Sequence, residues 1–403
     1  MNEHGLSGVR VLDLTWHIAG PYCTKYLADA GADVIKVESP DSGDPARRMA
    51  PFFKDDPHPE KSGLFLHLNT NKRGVTLNLK SETGKIIFRE MVKDADVLVE
   101  SFRPHVMSGL GLGYEDLEKI NPRLVMTSIT SFGQTGPYKE YKATDMIIYG
   151  MGGAMFWTGH PDRPPVRLGG TVISYQVGVM AAVATMMALY GAEKRGCGEQ
   201  VDISAFEAIR GHIDRAGTDL IAYQYCGDYD VRSATTSSMY PQGVQPCKDG
   251  YVDISGSGVV FFPRTARMLG RPELKDMYGS REAQVNPELR EEFYRDIYGP
   301  WLMARTRREI WEAAQKANLL SGPIFNSQDL LEDPHYADRK YWKEVDHPAT
   351  GKVLYPGAPY RAAEMPWDVR RPAPLLGQHN EEVYGALGYN REDLVKLKEN
   401  MVI

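Results

Sequence analysis

Residues 9–38 read VRVLDLTWHIAGPYCTKYLADAGADVIKVE. Val9–Leu14 alternates around apolar residues, which favours a strand, and the Gly20-Pro21 pair after it marks the turn into a new element. Tyr22–Ala30 then has the pattern of a helix closed by a glycine, and Ala32–Glu38 returns to a strand pattern. A strand, a helix and a second strand in this order predict a βαβ unit with parallel strands.

Similar units follow along the chain and extend the predicted sheet. Strand patterns recur at Gly74–Asn78, Ala95–Glu100 and Arg123–Ser128, with a helix pattern at Ser81–Lys93. Strands that alternate with helices predict an α/β fold whose parallel sheet is covered by helices on both faces. The glycine-rich run GLGLG at 109–113 precedes a helix pattern instead of following a strand, so a dinucleotide-binding site is disfavoured.

The pattern of the chain also predicts its domains. Residues 1–224 are expected to form the first part of a Rossmann-like large domain, and residues 225–330 a small α+β domain with short strands and a charged helical segment. Residues 331–403 are expected to return to the large domain, because two amphipathic helix signals near the end of the chain are suited to packing against it.

The composition narrows the classes of partner. The 403 residues carry 47 basic and 53 acidic side chains, a formal net charge of −6. No overall positive field therefore attracts nucleic acid or an anionic membrane. The first residues lack the cationic and apolar parts of a signal peptide, which predicts a cytoplasmic protein. The four cysteines show no metal-ligand spacing, and the apolar stretch Leu168–Ala192 is interrupted by polar residues and glycines, which predicts a buried helix instead of a membrane span.

Basic residues cluster in loops and at element ends of the first 145 residues. They are Arg47, Arg48, Lys72, Arg73, Lys80, Arg103, Lys139 and Lys142. In an acidic protein such a cluster is what a ligand with several phosphates would need, although scattered solvated charge gives the same pattern. His17 directly follows the first predicted strand, at the end of the sheet where open α/β folds bind ligands, but a lone histidine there is more often structural.

Several ordered blocks of this sequence resemble the class III CoA-transferases, a family that includes formyl-CoA transferase, carnitine CoA-transferase and the related acyl-CoA racemase. The blocks extend over essentially the whole chain. They include VLDLT at 11–15, ADVIKVE at 32–38, NKR at 71–73, ADVLVESFRP at 95–104, GQTGPY at 133–138 and GEQVDI at 198–203.

The resemblance implies coenzyme A as the ligand and an interlocked dimer in which two ring-like chains thread each other. By position, the family's CoA contacts correspond to Ala19, Leu77, Lys80, Phe102, Arg103, Lys142 and Asp145. A glycine-containing lid would lie at Gly256 and Gly258, where an ordinary turn is the alternative. Three positions depart from the family pattern, because a glutamine is replaced by Ile18 and two arginines by Ser39 and Gly109.

The resemblance also implies a nucleophile that this chain lacks. Family members use an aspartate carboxylate that attacks the acyl-CoA and forms a mixed anhydride. Counted back from Val201, the corresponding position is Ser174, and no Asp or Glu occurs from Arg163 to Ala192. A serine ester is too stable to return its acyl group to CoA, and Ser174 is more simply interpreted as a helix N-cap. We therefore assign no catalytic residue to this chain and expect it to be inactive alone.

A full-length member without a nucleophile predicts a subunit that pairs with an active paralogue. This arrangement is similar to the two-subunit members of the family that move CoA from succinyl-CoA to benzylsuccinate in anaerobic toluene degradation. Two alternatives remain open. An acyl-CoA racemase or epimerase would need an acid/base pair, usually His with Asp, whose aspartate would again fall at Ser174. A CoA-binding scaffold homodimer would assemble without a partner and without turnover.

Overall fold

The computed structural model describes residues 4–210, 216–229, 231–232 and 239–403. Six strands form one sheet in the order β3-β2-β1-β4-β5-β6, and every neighbouring pair is parallel. Their bounds are β1 Arg10–Leu14, β2 Asp33–Glu38, β3 Arg73–Thr76, β4 Val97–Glu100, β5 Val125–Thr130 and β6 Gln200–Ser204. The predicted α/β class with a parallel sheet is confirmed.

Helices precede, connect and follow these strands. Their bounds are α1 Ala19–Asp29, α2 Gly63–Leu68, α3 Glu82–Lys93, α4 Val106–Gly109, α5 Tyr114–Leu117, α6 Asp145–Met151, α7 Val172–Arg195, α8 Ala205–Ala208 and α9 Ala216–Cys226. The strand order reverses at β1, which lies between β2 and β4. In open α/β sheets such a reversal opens a crevice at the carboxyl ends of the strands.

The sheet separates two apolar layers because successive residues of each strand point to opposite faces. In β1, Val11 packs in one layer with residues of α1 and α7, whereas Leu12 packs in the other with residues of α3. The second layer also contains residues from the end of the chain. There Tyr384 donates from its hydroxyl to the Thr76 carbonyl at 2.7 Å.

The described chain divides into two compact units. The larger comprises Met1–Thr158, Pro165–Val231 and Asp338–Ile403, and the smaller comprises Gly159–Pro164 and Arg232–Ala337. Both limits of the inserted segment fall a few residues after the predicted 225 and 330. Beside the six-stranded sheet, the larger unit carries the hairpin of β10 Trp342–His347 and β11 Gly351–Pro356 and the helices α18 Asn380–Ala386 and α19 Arg391–Glu399.

The smaller unit has its own three-stranded antiparallel sheet and its own core of aromatic residues. Its strands are β7 Gln242–Cys247, β8 Gly250–Ser255 and β9 Leu320–Pro323. Its helices are α10 Gly258–Met268, α11 Leu274–Tyr278, α12 Arg281–Val285, α13 Pro287–Glu292, a π-helical turn at Phe293–Tyr298, α14 Gly299–Met303, α15 Arg307–Lys316 and α16 Ser327–Glu332, followed by α17 Pro334–Asp338 at the boundary.

Helix α7 is the one helix among the described residues that is long and apolar enough to cross a bilayer by length and composition, and 39% of its most apolar window is buried. The expectation of a buried helix is confirmed for one face only. One face packs against α1, where Gly178 lies so close to the Ala19 carbonyl that a Cβ atom would be 2.7 Å from that oxygen. The opposite face is exposed and apolar, through Val179, Val183, Met187 and Tyr190.

Candidate functional site

A cleft of about 1060 Å³ lies at the carboxyl ends of the strands of the larger unit. Its walls come from the loops that follow β1, β2, β3, β4 and β5 and from the first turns of α6 and α7. They include Trp16–Gly20, Ser39, Leu77–Lys80, Ser101–Pro104, Thr130, Ser131, Lys139, Asp145 and Ser174. The cleft therefore occupies the place that the reversal of strand order predicts, and its size is typical of a site for a small ligand.

Most of the predicted CoA contacts meet in this cleft. Ala19, Leu77, Lys80, Phe102, Arg103 and Asp145 line it together, although they come from four separate segments of the chain. Lys142 is not among the lining residues, whereas its neighbours Tyr141 and Ala143 are. Lys80, Arg103 and Lys139 supply positive charge at the walls, which suits an anionic ligand.

The structure corrects the interpretation of the basic cluster as one surface. The guanidinium of Arg47 is buried, donates to both Glu38 carboxylate oxygens at 2.7 and 2.8 Å, and reaches Glu60 at 2.6 Å. Arg73 pairs with Asp33 at 2.6 Å. These side chains are used inside the fold and leave no charge for a phosphate.

Lys72 is also withdrawn from any ligand. Its ammonium donates to Asp13, Thr24, Asn69 and the Pro21 carbonyl at 2.7–2.9 Å. Burial lowers the pKa of Lys72 to about 8, although Asp13 opposes that change. The same ammonium and Lys36 lower the pKa of Asp13 to about 2 against the effect of its burial. The network is therefore a structural support beneath the sheet end.

Ser174 is held by a carboxylate that the sequence pattern does not reveal. Helix α7 begins at Val172 with Thr171 as its N-cap residue, so the interpretation of Ser174 as the N-cap is wrong. Instead, the Ser174 backbone N–H and hydroxyl both donate to Asp145 Oδ2, at 2.9 and 3.0 Å. Asp145 thus binds an otherwise unpaired amide of the first turn from outside the helix, where the helix dipole favours negative charge.

The three departures from the family pattern lie at different places. Ile18 is buried and lines the cleft, and Ser39 lines it as well, so both replace a longer polar side chain with a shorter or apolar one at the wall. Gly109 ends helix α4 and is not a lining residue, although the adjacent Leu110 is. If the family pattern inferred from the resemblance holds at these positions, the cleft has fewer hydrogen-bond donors than that pattern would give it.

The predicted lid glycines lie in the smaller unit, with Gly256 between β8 and α10 and Gly258 as the first residue of α10. Gly258 has φ +84° and donates its N–H to Gln284 Oε1 at 2.6 Å. The Gly256 carbonyl accepts from the Thr265 hydroxyl at 2.9 Å, and a Cβ atom on Gly256 would meet that hydroxyl at 2.4 Å. This segment is a hydrogen-bonded turn in which both glycines are required by geometry.

Glu100 ends β4 beside the segment that carries Phe102 and Arg103. Burial raises the pKa of Glu100 to about 7, and the charge of Asp202 adds to that effect. Hydrogen bonds from the Ser128 hydroxyl and from the Phe102 N–H, at 2.7 Å, act in the opposite direction. With its pKa raised to about 7, Glu100 changes its protonation state near neutral pH.

We expect Glu100→Gln to remove part of the pH dependence of stability. Because the pKa of Glu100 is raised above its ordinary 4.5, its stabilising contribution is complete below pH 4.5 and is lost as the pH rises through 7. Glutamine keeps an oxygen for the Phe102 N–H and does not ionise. Urea unfolding at pH 5 and pH 8 is expected to show wild type losing up to about 3 kcal/mol relative to the variant. Exposed Glu82→Gln is the control, and equal pH profiles for Glu100→Gln and wild type would contradict the prediction.

No group of three or more His, Cys, Asp or Glu side chains in the described ranges is placed to hold a metal ion. The side chains that line the cleft supply serine and threonine hydroxyls, carboxylates that include Asp145 and Glu140, the His17 imidazole, and lysine and arginine groups. The 29-residue separation of Asp145 and Ser174 explains why their contact escapes a local search for a carboxylate. The sequence signal that points to Asp145 is its place among the predicted CoA contacts.

Comparison with known proteins gives matches over nearly the whole chain. Residues 6–380 match the model of CoA-transferase family III. The Succinyl-CoA:(R)-benzylsuccinate CoA-transferase subunit BbsE of Thauera aromatica is 33% identical over 394 residues, which cover 95% of this chain and 94% of that protein. The Succinyl-CoA–L-malate CoA-transferase beta subunit of Chloroflexus aurantiacus is 33% identical over 408 residues, covering 99% and 98%. The crystal structure of a CAIB/BAIF family protein from Brucella suis superimposes with a TM-score of 0.84 at 29% identity, covering 96% of this chain and 100% of that one.

Proposed function

Because the chain belongs to CoA-transferase family III, we propose that it is one subunit of a heteromeric CoA-transferase. In this proposal the complex moves CoA from an acyl-CoA, such as succinyl-CoA, to a carboxylic acid such as benzylsuccinate. A paralogous chain supplies the carboxylate nucleophile. Ser174 leaves this chain's own site without one, so the chain alone is inactive.

The observation that carries this proposal is the hydroxyl at position 174. CoA transfer through a covalent enzyme intermediate requires an acyl group that returns readily to a thiolate, as an anhydride does and a serine ester does not. The Ser174 hydroxyl already donates to Asp145 at 3.0 Å, which suits a structural role. Two relatives whose names describe them as subunits support the heteromeric arrangement.

We place the CoA moiety in the cleft of the larger unit. Lys80, Arg103 and Lys139 would neutralise phosphates at its walls, while Ala19 and Phe102 would contact the thioester arm. These residues would bind CoA in this cleft without reacting with it, because the nucleophilic carboxylate of the proposal lies in the partner's own site. The losses at Ile18 and Ser39 predict weaker CoA binding here than in a complete site.

The exposed face of α7 supports a tightly paired assembly. Val179, Val183, Met187 and Tyr190 lie about one or two helical turns apart on one side, and Met187 and Tyr190 are each 63% exposed in the single chain. Contiguous apolar surface of this kind marks an interaction site. An interlocked dimer, as in the resemblance drawn from the sequence, would cover it with the paralogous chain.

The test begins with purification of the chain from its native source and identification of the protein that co-elutes. The complex is then assayed for CoA transfer from succinyl-CoA to a panel of carboxylic acids. Replacement of the partner's nucleophilic aspartate by asparagine is expected to abolish turnover. Co-elution of nothing but further copies of this chain, without turnover, would instead favour the scaffold homodimer.

We also propose that the turn at Gly256 and Gly258 covers the partner's site during turnover. Gly258→Val forces a side chain into φ +84° and strains the turn that Gln284 holds. We expect a fall in turnover of roughly tenfold or more in a complex that still assembles. The measurements are kcat and oligomeric state. Gly270→Val, at φ +73° on the far end of α10, is the matched control, and equal effects of both variants would leave the segment as an ordinary turn.

A further inference from the structure

The loop after β1, residues Thr15–Ile18, is fixed by side chains from three different segments. The backbone N–H of Thr15 donates to Asp13 Oδ1 at 2.9 Å, that of Trp16 to Ser101 Oγ at 2.9 Å, and that of His17 to Asp44 Oδ1 at 3.0 Å. Three successive amides of an irregular loop thus each have a side-chain acceptor. These hydrogen bonds hold the backbone of the loop in a single conformation.

His17 makes this support necessary. Its φ of +65° is in the left-handed region, which is unfavourable for a residue with a side chain and persists only when the surrounding structure enforces it. Trp16 and His17 are exposed and line the cleft, whereas Thr15 and Ile18 on either side are buried. The left-handed backbone at His17 therefore lies where the loop faces the cleft.

The anchor of His17 is a buried ion pair. Asp44 Oδ1 accepts from the N–H groups of His17 and Ala46, and Asp44 Oδ2 is 3.0 Å from Lys36 Nζ. Lys36 Nζ in turn donates to the Thr15 carbonyl at 2.8 Å. Both side chains have 0% exposure. The pair therefore holds the loop at two points, through the Thr15 carbonyl and the His17 amide.

Asp44 does not line the cleft, so its effect on a ligand passes through the backbone that it holds, which is the Thr15–Ile18 loop and the turn at Pro45–Arg48 that it caps. Hydrogen bonds from a backbone N–H to a charged carboxylate are about twice as strong as those to a neutral acceptor. An ionised group in this position is costly to bury without a partner, and Lys36 is that partner. The Asp44 carboxylate consequently binds the His17 N–H and Lys36 and does not contact the ligand space.

We propose that Asp44, paired with Lys36, is a positioning residue that fixes the Thr15–Ile18 loop and thereby sets the affinity of the cleft for CoA. This inference rests on the proposed function for the identity of the ligand, but not for the geometry of the loop. It predicts that loss of the Asp44 carboxylate both loosens the loop and weakens CoA binding. Both effects should be larger than in a control variant that loses a similar amount of stability.

The structure offers a matched control. Asp29 is an equally buried aspartate that pairs with Lys25 at 2.8 Å and accepts from Asn71, and it does not line the cleft. Asp44→Ala and Asp29→Ala each remove the carboxylate that pairs with a buried lysine. Both variants are therefore expected to lower the unfolding temperature, while their effects on the Thr15–Ile18 loop should differ.

The experiment compares wild type, Asp44→Ala and Asp29→Ala as full chains in the assembled complex. Amide hydrogen exchange of the peptide spanning Thr15–Ile18 and calorimetric binding of coenzyme A are measured. Asp44→Ala is expected to accelerate exchange of this loop and to weaken CoA binding, each by roughly tenfold or more. Asp29→Ala is expected to leave both within about twofold of wild type. Asp44→Asn keeps one oxygen for the His17 N–H, so its loop exchange and CoA affinity are expected to lie between those of Asp44→Ala and Asp29→Ala. This variant replaces Asp44→Ala in the comparison if Asp44→Ala does not fold.

Equal loop exchange in the two alanine variants would overturn the proposal, as would loosened exchange with unchanged CoA affinity. A wild-type complex that binds no CoA in this cleft would contradict the proposed ligand. The exchange measurement then still decides whether Asp44 fixes the loop, because it requires no ligand.

Discussion

The purified chain, assayed without a partner, is expected to transfer CoA from succinyl-CoA at a rate at least roughly 10⁴-fold below that of the assembled complex, the loss typical of a missing nucleophile. The physical reason is the leaving group. A serine ester formed at Ser174 would have to expel an alkoxide to return its acyl group to CoA, whereas an anhydride expels a carboxylate. Any background rate is expected to be unchanged by Ser174→Ala.

Two further variants make this prediction specific. Ser174→Asp is expected not to restore transfer, because the new carboxylate would face Asp145, whose Oδ2 lies 3.0 Å from the present hydroxyl. Two carboxylates at this distance cannot both ionise readily, so the nucleophile would be held partly protonated. Ser174→Asp combined with Asp145→Asn removes that repulsion and is the variant to compare. Robust turnover by the wild-type chain that Asp145→Asn abolishes would contradict the prediction and assign the nucleophile to Asp145.

The second large effect concerns assembly. The chain is expected to persist as a folded species chiefly in complex with its paralogue, because an interlocked pair buries an obligate type of interface, upward of ~2,000 Å². Met187→Glu places a charge in the middle of the exposed α7 face, where Met187 is 63% exposed in the single chain. We expect the dissociation constant of the complex to rise about 10²-fold, because the new charge would be buried in the interface without a partner.

The matched control is Ile86→Glu on helix α3, where Ile86 is 54% exposed and packs in neither apolar layer. Light scattering at micromolar concentration, with the paralogue co-expressed, distinguishes the two variants. A soluble, folded monomer of the wild-type chain would contradict the expected obligate pairing. An unchanged complex in Met187→Glu would remove α7 from the interface.

The sequence was sufficient for five of the six strands of the sheet because local patterns determine them, whereas β6 at Gln200–Ser204 was not predicted. The strand predicted at Ala95–Glu100 is Val97–Glu100, and the helix predicted at Ser81–Lys93 begins at Glu82 with Ser81 as its N-cap. Each of these elements has an unbroken apolar period, and tertiary contacts change only its ends.

The site was less predictable because its decisive contacts join distant segments. Arg47 reads as a free cation until the fold brings Glu38 and Glu60 to it. The Asp145 and Ser174 pair depends on how α6 meets α7, which no spacing rule fixes. Family resemblance reached Lys80, Arg103 and Asp145, which line the cleft, because motif position carries tertiary information that composition and periodicity lack.

The hydrogen bond from Ser174 to Asp145 bears on how a duplicated gene can diverge. A carboxylate at position 174 would repel Asp145 at the start of α7, whereas serine adds a hydroxyl donor to the backbone N–H that any residue there supplies. Under the proposed function, a copy that exchanged a carboxylate for serine would therefore relieve that repulsion as it lost the nucleophile. When a paralogous gene retains the reaction, selection for stability and selection for catalysis can act on separate genes. Selection for the stability of the second subunit then favours serine at this position.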